Sequence, residues 1–138
     1  MRRAGTITRN ILAALAVTFL LAGCGGGEGA STTDVSPSGK VLRWNPPQSY
    51  SDQTPLNPVT DLKEYLIFIN NTGNFSTSDT PSAVAAAVDP VNGQATSSFN
   101  LSNLSSFLNP GVTYYISMQS VSVTGVKSDF SPPAAFNL

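Results

Sequence analysis

The sequence predicts an all-β fold, two sheets packed as a sandwich of about seven strands. Three observations predict it. From Gly39 onward the apolar residues come in short runs broken by Gly, Pro and Asn, which punctuate strands and turns. The two longest runs, 62–70 and 112–123, alternate with the period of two that a pleated strand requires. No stretch of this region keeps a 3.6-residue period over the length of an ordinary helix.

In chain order, 41–44 (VLRW) is a strand that places Leu42 and Trp44 on one face and Val41 and Arg43 on the other. It stops at Asn45-Pro46-Pro47, because proline has no N–H to give to a ladder. Residues 48–61 form a polar, proline-bearing connection. The strongest strand is 62–70 (LKEYLIFIN), with Tyr65, Ile67 and Ile69 facing inward and a turn at Asn71-Thr72-Gly73-Asn74. Residues 82–88 (SAVAAAV) suit a helix by alanine propensity or a strand bounded by Pro81 and Pro90; seven residues make a marginal helix, which favours the extended form. A strand at 95–101, a bend at 104–108 and a long strand at 112–123 follow, the last with Tyr114, Ile116 and Met118 inward. A turn at Thr124-Gly125 leads to a final strand, 127–138, interrupted by Pro132-Pro133. Trp44 offers the largest single block of apolar area to the core, with Tyr65 and Tyr114 beside it. Phe75, Phe99, Phe107, Phe130 and Phe136 read as core or edge-sealing residues, and Met118 as a gap-filler.

Ahead of this body lies a different texture. Arg2, Arg3 and Arg9 give a cationic opening, and 11–22 is an apolar run closed by small residues, the layout of a secretory signal peptide. Twelve residues span about 18 Å as a helix, short of the ~30 Å hydrocarbon core, so a membrane span is the weaker reading. Residues 24–38 are rich in Gly, Ser and Thr, with Val35 as the one bulky apolar side chain after Cys24, and read as a flexible tether. The alternative is a frayed first strand at 33–35.

Composition bounds the chemistry. The chain has no histidine and one cysteine, Cys24, so zinc sites built on His or Cys are excluded within it, and the commonest general base is missing. Past residue 23 the cations are Lys40, Arg43, Lys63 and Lys127 against eight acids, a side-chain charge of about −4 that speaks against nucleic acid. Asp52, Asp61, Glu64 and Asp79, with Asn57, Asn70 and Asn71, fit a calcium site only loosely, since no EF-hand spacing occurs; Asp and Asn also favour turns for their own backbone hydrogen bonds. Serines abound without a histidine to activate them. Neither a cofactor nor a catalytic constellation is expected. On the strand whose odd residues face inward, Leu66 and Phe68 point outward.

Two resemblances sharpen this reading. Leu21-Ala22-Gly23-Cys24 is similar to the lipobox of bacterial lipoproteins. That resemblance implies removal of residues 1–23, diacylation of Cys24 and attachment to a membrane; Gly25, in place of an inner-membrane retention aspartate, implies the outer membrane. VLRWNPP, TDLKEYLIFINNTGNF and LNPGVTYYISMQSV with TGVKSDFSPP resemble the B, C and F–G segments of a fibronectin type III domain over 39–138. That family implies an immunoglobulin-like sandwich with Trp44 as the strand-B core tryptophan, Tyr65 as its strand-C neighbour, and Tyr114 as a tyrosine corner bonded to backbone near 104–108. The chain departs from it in a weak or missing first strand, a long segment 75–95 and Glu64 in place of the usual glycine. It also implies that strands C and F pair, which sets Tyr115 beside Leu66 and Phe68 as an outward apolar patch, a candidate contact surface or ordinary cross-strand pairing. The expectation is a non-catalytic, lipid-anchored envelope protein that contacts another protein. The alternatives are a carbohydrate-binding module using Tyr50, Phe68 and Tyr115, and a plain spacer.

Overall fold

A computed structural model describes residues 39–137. The leader, Cys24 and the tether lie outside the described residues, as does the alternative strand at 33–35. The described residues form six strands, β1 (Val41–Arg43), β2 (Leu62–Asn70), β3 (Ala83–Ala86), β4 (Ser98–Asn100), β5 (Thr113–Ser122) and β6 (Ala134–Asn137), with a 3₁₀ helix at Leu101–Phe107 between β4 and β5. They form two antiparallel sheets, one in the order β1-β4 and the other in the order β3-β2-β5-β6.

The sheets face each other across a core that draws on both. Leu42 and Trp44 come from one side, Tyr65, Ile67, Ala85, Tyr114, Ile116, Met118 and Phe136 from the other, and Leu101, Leu104 and Leu108 close one end. Trp44 meets Tyr65 edge-on with ring centroids 5.1 Å apart, a geometry in which the positive edge of one ring meets the negative face of the other. Tyr65, Ile67, Ile116 and Met118 are fully buried; each such side chain contributes about 1.5–3 kcal/mol through the apolar area taken from water.

Strand lengths follow from local chemistry. Arg43 ends β1, although the Trp44 N–H still reaches Ser97 C=O at 3.0 Å; the two prolines after Asn45 end the pairing. The 82–88 segment is extended, as β3, on the edge of the larger sheet. The short turn or helical bend expected at 104–108 is helical and begins earlier, as a 3₁₀ helix at Leu101–Phe107 started by Asn100, whose side chain accepts from Ser102 N–H, the ordinary capping role of asparagine. The strand expected at 95–101 shrinks to Ser98–Asn100, while Ala95 bridges Val88. The last strand does not run from Lys127. It begins at Ala134, beyond the two prolines, and Lys127 makes only an isolated bridge to Val121.

The stretch ahead of Ala134 explains the shortening. Ser128 N–H donates to Ser120 C=O at 2.9 Å, and Ser131 N–H to Met118 C=O at 2.8 Å. In return, Ser120 N–H donates to the Ser128 hydroxyl at 2.9 Å and Met118 N–H to the Ser131 hydroxyl at 3.0 Å. Two serine hydroxyls stand in for strand carbonyls, so β5 keeps its donors satisfied without a regular partner strand. Phe130, carried between them, is free to turn over the outer face of the sheet.

Candidate interaction surface

Pairing of β2 with β5 sets Leu66 opposite Gln119, Phe68 opposite Ser117 and Asn70 opposite Tyr115. Directly opposite residues share a face, so Leu66, Phe68 and Tyr115 do lie together on the outer side of the sheet. They do not form an open patch. Leu66 is 6% exposed and Phe68 3%, because Phe75 and Phe130 from the two flanking loops pack over them and Val121 completes the cluster. Phe130 meets Phe68 edge-on at 5.0 Å and stacks on Phe75 at 5.9 Å. Tyr115 is half-buried, and the Gly73 backbone lies against its ring so closely that a Cβ there would sit 3.2 Å from it. Gly73 also has φ of 75°, a conformation costly for other residues. The outward direction read from alternation is correct, and the solvent exposure read with it is not. The loop chemistry that folds Phe130 back was written in Ser128 and Ser131, and period-two alternation carries no signal for it.

The residues assigned to the core are there. Trp44 is 3% exposed, Tyr65 0% and Tyr114 9%. Tyr114 Oη accepts from Asn109 N–H at 2.9 Å, one residue past the expected 104–108 backbone, and its ring stacks on Phe136 at 5.8 Å. Tyr65 is the opposite case. Its hydroxyl, Trp44 Nε1 and Ser120 Oγ are buried with no hydrogen-bond partner among the described residues. Burial pushes the Tyr65 phenol above its ordinary value of 10.0, and the indole N–H close by offsets this only in part, as a nearby dipole rather than a formed hydrogen bond.

The acidic residues serve their own loops. Asp52 accepts from Thr54 N–H at 3.0 Å, Asp79 from Ser76 N–H at 2.8 Å and Asp89 from Val91 N–H at 2.8 Å. Asp61 accepts from Asn57 N–H at 2.9 Å and from the Thr60 hydroxyl at 2.9 Å. The Asn57 bond, then that of Thr60, hold the Asp61 carboxyl below its ordinary value of 3.8, with a smaller contribution from Tyr50 and with desolvation opposing. Glu64 pairs with Lys63 at 3.5 Å on the surface. Among the described residues no three His, Cys, Asp or Glu side chains gather as metal ligands, and no helix is long and apolar enough to cross a membrane.

The described residues also form two concavities of interest. A polar one of about 430 Å³ lies under the loop after β3, lined in part by Asp89, Asn92, Gln94 and Thr96. An apolar one of about 310 Å³ lies at the pole where the 3₁₀ helix ends, lined by Ile69, Pro81, Ser82, Leu104, Phe107, Leu108 and Tyr114. Phe107, expected to seal an edge, stands 69% exposed on its rim. Sequence reasoning placed it with the other phenylalanines because nothing in a 3₁₀ segment's pattern says which side faces out. Compared with known proteins, the chain matches no family model, no curated protein and no solved structure.

Proposed function

We propose that this chain is a non-catalytic lipoprotein, anchored to the cell envelope through lipid on Cys24, whose fibronectin type III-like domain mediates contacts with another protein. The observation that carries the reading is the run Leu21-Ala22-Gly23-Cys24 behind a cationic, apolar leader. The body supports it in three ways. The order β3-β2-β5-β6 opposite β1-β4 is the arrangement that the strands after the first would have in a fibronectin type III domain. Trp44 packed edge-on against Tyr65, and Tyr114 bonded to loop backbone one residue past the expected 104–108, are in keeping with that resemblance. Asp52, Asp61, Asp79 and Asp89 bond the backbone of their own loops. With the outer face sealed, contacts fall more naturally on the pole around Phe107, the most exposed aromatic ring of the described body.

The carbohydrate reading loses support. Phe68 is buried, the Gly73 backbone packs close against the Tyr115 ring, and Tyr50 is partly buried against the core, so none of the three offers a fully open ring for a sugar to stack on. The test has two arms. Cys24→Ala should abolish acyl labelling and release the protein from the membrane fraction; labelling that survives would end the anchor reading. A photo-crosslinker at position 107 in the anchored protein should yield one reproducible protein adduct in the membrane, and a glycan adduct or none would end the contact reading.

A further inference from the structure

The two sides of β5 are held by different chemistry. Ser117, Gln119 and Val121 stand opposite Phe68, Leu66 and Glu64 in the ladder with β2, and antiparallel alternation turns their peptide groups toward that strand. The peptide groups of Met118 and Ser120 turn the other way, toward residues 127–133. Two bonds there join backbone to backbone, from Ser131 N–H to Met118 C=O and from Ser128 N–H to Ser120 C=O. The rest need side chains. The Ser131 and Ser128 hydroxyls accept from Met118 and Ser120 N–H, while Ser117 Oγ donates to Ser131 C=O at 2.7 Å and Gln119 Nε2 to Ser128 C=O at 2.8 Å.

Residues 127–133 are thus pinned mainly by polar bonds. When a surface segment lifts, such bonds are exchanged for bonds to water, so their net hold is small. The apolar anchor is Phe130, half-buried against Phe68 and Phe75. Lys127, Asp129, Pro132 and Pro133 are exposed, and the prolines have no N–H to give to β5. Beyond them β6 is paired with β5 again, Ala134 standing opposite Ile116. Ahead of Lys127 the turn is closed by Gly125 N–H on Ser122 C=O at 2.9 Å. The segment is fixed at its two ends and weakly held between them.

We propose that residues 127–133 form a strap that lifts as a unit while both sheets, β6 included, stay in place. Closed, it keeps Leu66, Phe68 and Val121 from water. Lifted, it uncovers that apolar face together with the N–H groups of Met118 and Ser120. An apolar cluster beside unpaired strand groups invites association unless it is covered, which gives the closed strap its role. The device sets when the outer face of the larger sheet meets solvent, and it is separate from the pole around Phe107.

Native-state hydrogen exchange on the full chain in detergent micelles, followed amide by amide along a urea series, tests it. With intrinsic rates divided out, Met118 and Ser120 should exchange at least about tenfold faster than Ser117, Gln119 and Val121 without urea, and with a shallower urea dependence, as a local opening requires. Tyr114 and Ile116, whose peptide groups face β6, should stay with the slow set. Thiol alkylation gives a second reading. Val121→Cys, on the outer face, should react at least about tenfold faster than Ile116→Cys in the inner core, each site being located by peptide mass. A single rate and urea slope for all five of the first amides would overturn the proposal. So would fast exchange at Tyr114 and Ile116, which would assign the opening to β6, and so would equal alkylation at the two cysteines.

Discussion

On the inner face of β2, Tyr65 and Ile67 are buried by an opposing sheet; on the outer face of the same strand, Leu66 and Phe68 are buried by two loops. Exposure is nearly equal on the two sides, between 0% and 6%, yet the means differ. The inner cover is built from strands held by ladders. The outer cover is two phenylalanines on connections, Phe130 placed by serine hydroxyls and Phe75 by the turn after β2. Apolar alternation marks where a side chain points, and only the rest of the fold decides whether water reaches it.

The sharpest way to break this comparison is to truncate both faces. Ile67→Ala should cost about 3–4 kcal/mol in urea unfolding, the usual loss for a buried aliphatic side chain plus its cavity. Phe68→Ala should cost about 3 kcal/mol, nearly as much. A Phe68→Ala cost below about 0.5 kcal/mol, the range of a surface substitution, would show that the loops do not hold their cover in solution.

Phe130→Ala asks how much of the outer burial depends on one loop residue. It should cost about 2 kcal/mol, less than Phe68→Ala, since a loop can partly close over the gap. Combined with Phe68→Ala it should cost less than the two changes added, by about 1 kcal/mol, because the rings are partners. Strict additivity would separate Phe130 from the cluster.

Much of the inner face was legible in the sequence, because Tyr65, Ile67, Tyr114, Ile116 and Met118 sit on long strands where a period of two is unambiguous. The shape of residues 127–133 was not. Ser128 and Ser131 read as turn residues, and their hydroxyls bond to β5 only once strands distant in sequence have come together. Phe107 was misplaced for a related reason: a seven-residue 3₁₀ segment offers too short a pattern to show its buried side. The proposed anchor rests on a local run, Leu21-Ala22-Gly23-Cys24, which needs no tertiary contact to be read, and so sequence alone could suggest it.

A smaller effect separates two tyrosines of the inner core. Tyr114→Phe removes an acceptor from Asn109 N–H and should cost about 1 kcal/mol. Tyr65→Phe removes a hydroxyl with no partner, so it should cost less than about 0.5 kcal/mol or even stabilise. Equal costs for the two would mean that the Tyr65 hydroxyl has a partner in solution.

The smallest effects come from pH, and they again divide loop from core. The Asp61 carboxyl lies below 3.8 when folded, held there first by Asn57 N–H. Its contribution is therefore full above the unfolded value and is lost as pH falls through the lower folded one. The Tyr65 phenol lies above 10.0 when folded because it is buried. Its contribution is full below the unfolded value and is lost as pH rises through the higher folded one. Unfolding curves should thus weaken at both extremes, with Asp61→Asn flattening the acid limb alone and Tyr65→Phe the alkaline limb alone. The acid limb should be the shallower, since Asp61 lies at the surface and solvent screens its bonds, and added salt should leave the alkaline limb in place. An alkaline limb unchanged in Tyr65→Phe would place the titrating group outside the core contact of Trp44 with Tyr65.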